Sequence, residues 1–191
     1  MLHKAVISRL LVLFPDMEVD LFATRLTAQL PRFVSPCPDP RAWKVNALSI
    51  PWDHLVALAY PPTKLLGEVV RKLHKSSGRL LLVAPCWPNM AWFADMIGLL
   101  YRQPLRLPAW RRLLRQPGRQ MFHSNPCMLD LHVWPLSGRK SDRAGFRRES
   151  LIIQQRHRDS HPNPCTSPIG ESSLLGVWNG IQIRPMPLFP C

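Results

Sequence analysis

The chain reads as an α/β protein, and three observations predict this. Leu80–Ala84 is an unbroken apolar run with the length of a central strand covered on both faces. Just before it, Leu65, Leu66, Val69, Val70 and Leu73 recur at helical spacing. Just after it, Trp92, Phe93, Met96, Ile97 and Leu100 form a second helical stripe. Strands alternating with amphipathic helices call for a layered sheet rather than a bundle or a sandwich.

Taken in order, residues 5–14 are apolar and partly β-branched, which suits a short helix or a strand, and Pro15-Asp16 stops them. Val19–Ala23 reads as a short buried strand with Asp20 near its start. Pro31 to Pro40 holds enough proline to be read mostly as loop. Leu55–Tyr60 is the next strand, ended by Pro61-Pro62. Thr63 is placed to cap the helix that follows, and Glu68 stands four residues before Lys72, a favourable pair on one face. Ser76-Ser77-Gly78 ends that helix, and Asn89 is placed to cap the next one. Leu129–Trp134 is the last strand expected. Three segments follow: an N-terminal helix or strand at 1–18, an α/β body at 19–138, and a tail at 139–191. The tail is charged up to Arg158, then rich in Pro, Ser and Gly, and is expected to be poorly ordered.

The balance of 25 Lys and Arg against 12 Asp and Glu gives +13, a surface that attracts nucleic acid, anionic lipid or acidic protein. The excess is densest after Tyr101, where Arg102, Arg106, Arg111, Arg112, Arg115 and Arg119 occur with no acid among them. Phosphate contacts from such a series add through counterion release. Pro108 suits a first helical turn, which would set Arg111, Arg112 and Arg115 on one face. Five cysteines, none in a close pair, argue against a structural zinc site, so no metal is expected. The odd count fits a reducing, intracellular setting, nucleus or cytoplasm. The Leu10–Phe14 run is too short to span a membrane.

Four blocks stand out: Val19–Arg25 with Asp20; Val45–Ser49 through Trp52; Ala59-Tyr60-Pro61-Pro62; and Val83–Pro88 with Trp92-Phe93. In this order, with Leu131–Gly138 after them, they resemble the segment downstream of the ribonuclease H domain in retrotransposon reverse transcriptases of the DIRS-like or gypsy type. That segment itself resembles a degenerate adenine-type DNA methyltransferase. The resemblance implies a partial three-layer, methyltransferase-like short sheet with flanking helices. It also implies a polyprotein piece that lacks the polymerase, ribonuclease H and recombinase active sites, and whose partners are DNA or RNA and neighbouring polyprotein domains.

By the same resemblance, Asp20, Asn46, Tyr60, Pro61 and Pro62 mark a vestigial methylase pocket. Those enzymes carry Asp or Asn before Pro-Pro and an aromatic residue after it, to hold and stack an extruded base. Here Tyr60 and Thr63 occupy these positions, Asn46 stands where related chains have Asp, and the first glycine, Gly67, comes after Pro-Pro. No cofactor and no catalytic residue are therefore expected. Trp87 and Trp92, flanking a strand-to-helix turn, suit either a base-stacking platform or a cover for the sheet edge. The function expected is a non-catalytic, nucleic-acid-associated or domain-docking segment. The alternatives are a divergent S-adenosylmethionine-dependent adenine methyltransferase and an inert truncated fragment.

Overall fold

The computed structural model describes residues 1–110, 112–115, 129–159, 176–178 and 181–189; for 154–159 and 176–178 only the backbone is described. Among these residues one eight-stranded sheet forms the centre. Its strands are β1 (Val19–Asp20), β2 (Arg32–Ser35), β3 (Lys44–Val45), β4 (Val56–Ala59), β5 (Arg79–Pro85), β6 (Leu105–Arg106), β7 (Leu131–Ser137) and β10 (Met186–Pro187). They lie in the order β10-β6-β7-β5-β4-β1-β2-β3. All neighbours run parallel except at β7, which is antiparallel to both β5 and β6. A separate hairpin pairs β8 (Gly176–Trp178) with β9 (Ile181–Ile183).

Helices cover both faces. On one side, α2 (Leu66–His74) and α3 (Ala91–Gly98) seat Leu66, Val69, Val70, Leu73, Trp92, Phe93, Met96 and Ile97 against Ala57, Ala59, Leu80, Leu82, Ala84, Trp134 and Leu136. On the other, α1 (Lys4–Leu13) lays Val6, Ile7 and Leu10 on Leu58, Leu81, Val83 and Val133. The predicted pairing of a strand, a helix and a second buried strand over Leu55–Ala84 is thus the middle of the sheet. A 3-10 turn, Thr63–Leu65, leads into α2. The strands β5 and β7 are almost wholly buried, because the two faces of each feed two different cores.

Several local expectations change. Of the helix or strand open to residues 5–14, the helix forms, as α1 over Lys4–Leu13, and it is seated on the same sheet as the 19–138 body. Arg32–Ser35 is a strand, not loop: Pro31 and Pro36 bracket it rather than interrupt it, and Phe33 and Val34 are buried. Neither predicted capping side chain caps its helix. Pro62 precedes the 3-10 turn and Met90 precedes α3, both without a side-chain bond to the helix. The segment after Pro108 forms no helix among its described residues. Leu113 and Leu114 turn inward to the α1 core, and Leu114 bridges Leu2 instead. The tail contributes α4 (Lys140–Asp159), β9 and the edge strand β10, with Phe146, Ile181, Ile183 and Leu188 buried.

Candidate functional site

The parallel strands β1, β2, β4 and β5 point their carboxyl ends to one edge of the sheet. The chain order reverses between β1 and β4, which is where open α/β sheets form a ligand crevice. Asp20 ends β1 there, and Tyr60-Pro61-Pro62 leaves β4 beside it. Asp20 pairs in register with Leu58, so strand alternation places Tyr60 on the same face, one step further along. The resemblance-based pair of Asp20 and Tyr60-Pro61-Pro62 is therefore brought together by the fold.

Asp20 is almost fully buried, and burial pushes its carboxyl up to about 6. Its Oδ2 accepts the Gln29 N–H at 3.0 Å, and the Phe22 N–H also bonds to the carboxylate. These bonds tie the β1–β2 connection to the end of β1. Tyr60 is packed against the α1-side core, and burial raises its phenol above the ordinary tyrosine value. Pro61 is buried and Pro62 exposed. Asn46 lies elsewhere, past β3 at the far edge. Its backbone is left-handed (φ 57°), and its Oδ1 accepts the Leu48 N–H at 3.1 Å, so it serves a turn. Trp52 is buried, donating Nε1–H to the Ala47 carbonyl at 2.9 Å.

The arginines lie around the β6 end of the sheet. The Arg102 guanidinium rests over the Phe14 ring at 5.3 Å. Arg106 lies on β6 and pairs with Asp130, Nε to Oδ1, at 3.3 Å. Arg112 and Arg115 are exposed, while Leu105, Leu107, Leu113 and Leu114 between and beside them are buried. Arg111 and Arg119 lie outside the described residues. Trp110, not singled out by sequence, stands in this segment. Its ring is 5.0 Å from that of Phe189 and edge-on to His3. Trp87 is half-buried against the α2–α3 core, and Trp92 is buried in it. A cavity of about 360 Å³ lies along Arg106–Ala109, Asp130-Leu131 and Pro187–Phe189. Another, about 390 Å³, lies beside α2 among Leu48, Glu68, Arg71, Lys72 and Lys75. Neither is at the Asp20–Tyr60 point.

A second cluster occupies the opposite face at the same edge. Pairing of β5 with β7 sets Ala84 against His132, and the Cys86 N–H donates to the Asp130 carbonyl at 3.1 Å. A ring nitrogen of His132, Sγ of Cys86 and a carboxylate oxygen of Asp130 then lie within 4.8 Å of one another. His132 is 1% exposed, and its Nδ1 is 2.8 Å from the Asp130 carbonyl. A carbonyl only accepts, so Nδ1 carries the hydrogen and Nε2 the lone pair. Nε2 is buried with no hydrogen-bond partner among the described residues. Burial holds the His132 imidazole below the ordinary histidine value, so the ring stays neutral. Burial also pushes the Cys86 thiol up to about 11. The thiol is therefore no activated nucleophile. The fold supplies His132 as the histidine beside Cys86. The signal was the strand pairing, which local spacing does not carry.

No protein-family model and no curated protein matches this chain. Among the described residues, no helix is long and apolar enough to cross a membrane.

Proposed function

We propose that the chain is a non-catalytic docking domain of a retroelement polyprotein that holds nucleic acid on the arginine-rich surface around β6. One observation carries this reading. From Tyr101 to Arg115 the leucines turn into the α1-side core while Arg102, Arg106, Arg112 and Arg115 stay at the surface, with no acid in the segment. The core thereby presents the cations on a firm backing. Trp110, 39% exposed, adds an aromatic face of the kind on which bases stack.

The test is binding of the full chain to labelled DNA and RNA oligonucleotides across a salt series. A log–log salt slope that falls by about 2 to 3 when Arg102, Arg112 and Arg115 become Ala supports the proposal. Unchanged affinity and slope in that variant count against it and favour docking to neighbouring domains through another surface.

The second reading is a divergent methyltransferase. The adjacency of Asp20 and Tyr60-Pro61-Pro62 at the strand-order reversal favours it, because that is the place where such a sheet holds its ligand. Against it stand the burial of Asp20 and the use of its carboxylate by Gln29. Calorimetry with S-adenosylmethionine decides the matter: stoichiometric binding would promote this reading, and no heat of binding would remove it.

A further inference from the structure

We propose that Cys86, Asp130 and His132 form a zinc-binding site at the carboxyl edge of the sheet, with a fourth coordination position left to water. Strand register builds this cluster: Ala84 faces His132 across the β5–β7 ladder, so Cys86 and His132 share one face and Asp130 stands opposite Cys86. The three ligand types are the thiolate, imidazole and carboxylate that suit zinc, and three protein ligands with one open position is a common catalytic-type arrangement. The spacing, within 4.8 Å, is somewhat wider than the roughly 3.5 Å between ligands in a tetrahedral zinc site, so the side chains close by about an ångström on binding.

Two further observations point to a cation. The buried His132 ring spends its Nδ1 hydrogen on the Asp130 carbonyl, the kind of second bond that orients metal-bound histidines. Its other nitrogen, Nε2, is buried with no partner among the described residues; Nδ1 lies toward the carboxylate, 4.0 Å from Asp130 Oδ1, so the ring turns on binding to present Nε2, which removes that uncompensated cost. Charge also balances. Zn²⁺ with a Cys86 thiolate, an Asp130 carboxylate and a neutral imidazole sums to zero, so the buried end of the site gains no net charge. The Cys86 proton leaves to buffer on binding, and Arg106 gives up its contact with Asp130. Asp130 is held in a left-handed backbone (φ 38°), and its carboxylate is partly exposed, which leaves the metal an entry path. The site faces the α2–α3 side, and its strands β5 and β7 lie two and three strands from β1, about 10 to 14 Å away. It is therefore separate from the crevice between β1 and β4.

The test uses the tag-free full chain, kept reduced, with zinc titrated by calorimetry and cobalt(II) as the spectroscopic probe. The expected result is one equivalent of tight binding and a near-ultraviolet thiolate-to-cobalt band. Cys86→Ser should abolish that band, and Asp130→Asn should weaken zinc binding more than about a hundred-fold, beyond the roughly 10–100-fold that loss of an outer-shell partner costs. Because His132 is buried, His132→Ala is read alongside circular dichroism, and Asp130→Asn keeps the proposal testable if that variant does not fold. Zinc binding that survives Cys86→Ser at wild-type affinity would place the metal on other cysteines and histidines and overturn the assignment. So would the absence of binding to the wild-type chain.

Discussion

Arg79 and Asp142 join the first residue of β5 to the first turn of α4 through two parallel bonds. Nε meets Oδ2 at 2.8 Å and a terminal guanidinium nitrogen meets Oδ1 at 3.0 Å. The Ser137 hydroxyl donates to the same Oδ2 at 2.8 Å. A forked arginine–carboxylate contact is stronger and more directional than a single ion pair. This one anchors a helix in which nine of the 20 residues are charged, and Arg79 and Ser137 together hold the Asp142 carboxyl below the ordinary aspartate value.

The first prediction concerns that anchor. Arg79→Ala or Asp142→Ala should each destabilise the chain by roughly 1–3 kcal/mol, and the double variant should cost clearly less than the sum. Urea unfolding with a double-mutant cycle measures the coupling, and additive effects would show that α4 is held by other contacts. The pH sign follows from the depressed carboxyl. The stabilisation is present above the ordinary aspartate value and is lost as pH falls through the lower, folded value.

A second prediction comes from Asp20, whose carboxyl is displaced the opposite way. Burial raises it from the ordinary 3.8 to about 6. The folded chain therefore keeps the proton over a range where the unfolded chain has lost it. The stability this contributes is full below 3.8 and disappears as pH rises to about 6. That interval corresponds to roughly 3 kcal/mol. In Asp20→Asn, which keeps an acceptor for the Gln29 N–H, the stability lead of the wild type should shrink across about pH 4 to 6. A parallel pair of stability–pH curves would mean that Asp20 titrates as an ordinary carboxylate.

The core of the fold was open to sequence reading because it is written locally. The helical spacing of Leu66, Val69, Val70 and Leu73 and the apolar run of β5 each carry their own period, and both elements form where expected. Asp20 and Tyr60-Pro61-Pro62 were found through their block order, and the fold does set them side by side. What stayed hidden depends on partners distant in the chain. Val19–Asp20 is a strand of two residues, defined by β2 and β4 rather than by any pattern of its own. Arg32–Ser35 was masked by its flanking prolines. Lys140–Asp159 looked like a solvated run because its anchor, Arg79, lies 63 positions away. The grouping of Cys86 with His132 exists only through antiparallel register. The helix expected across Arg112 and Arg115 gave way because Leu113 and Leu114 have a core to enter.

A third prediction contrasts two glycines. At Gly138, which follows β7, a side chain would run into the Ser76 and Leu73 carbonyls at the end of α2. Its N–H also donates to the Gly78 carbonyl at 2.9 Å, and Gly78 in turn backs onto the Trp52 carbonyl. Gly138→Ala should cost about 1–3 kcal/mol as backbone shifts to make room. Gly145 lies within α4, and a methyl group there would meet nothing within 4 Å. Gly145→Ala should stabilise the chain by up to about 1 kcal/mol, the helix-propensity difference. Thermal melting of the two variants should move in opposite directions; equal shifts would remove the steric account of Gly138.

The sheet ends in two very short strands, Lys44–Val45 on one side and Met186–Pro187 on the other. A long open border would offer a row of unpaired amide groups on which a neighbouring molecule could stack and seed fibres. Here one margin carries a lysine and stops after two residues, and the other carries a proline, which has no amide hydrogen to offer. Among the described residues, both margins therefore leave a second molecule little backbone on which to extend the ladder.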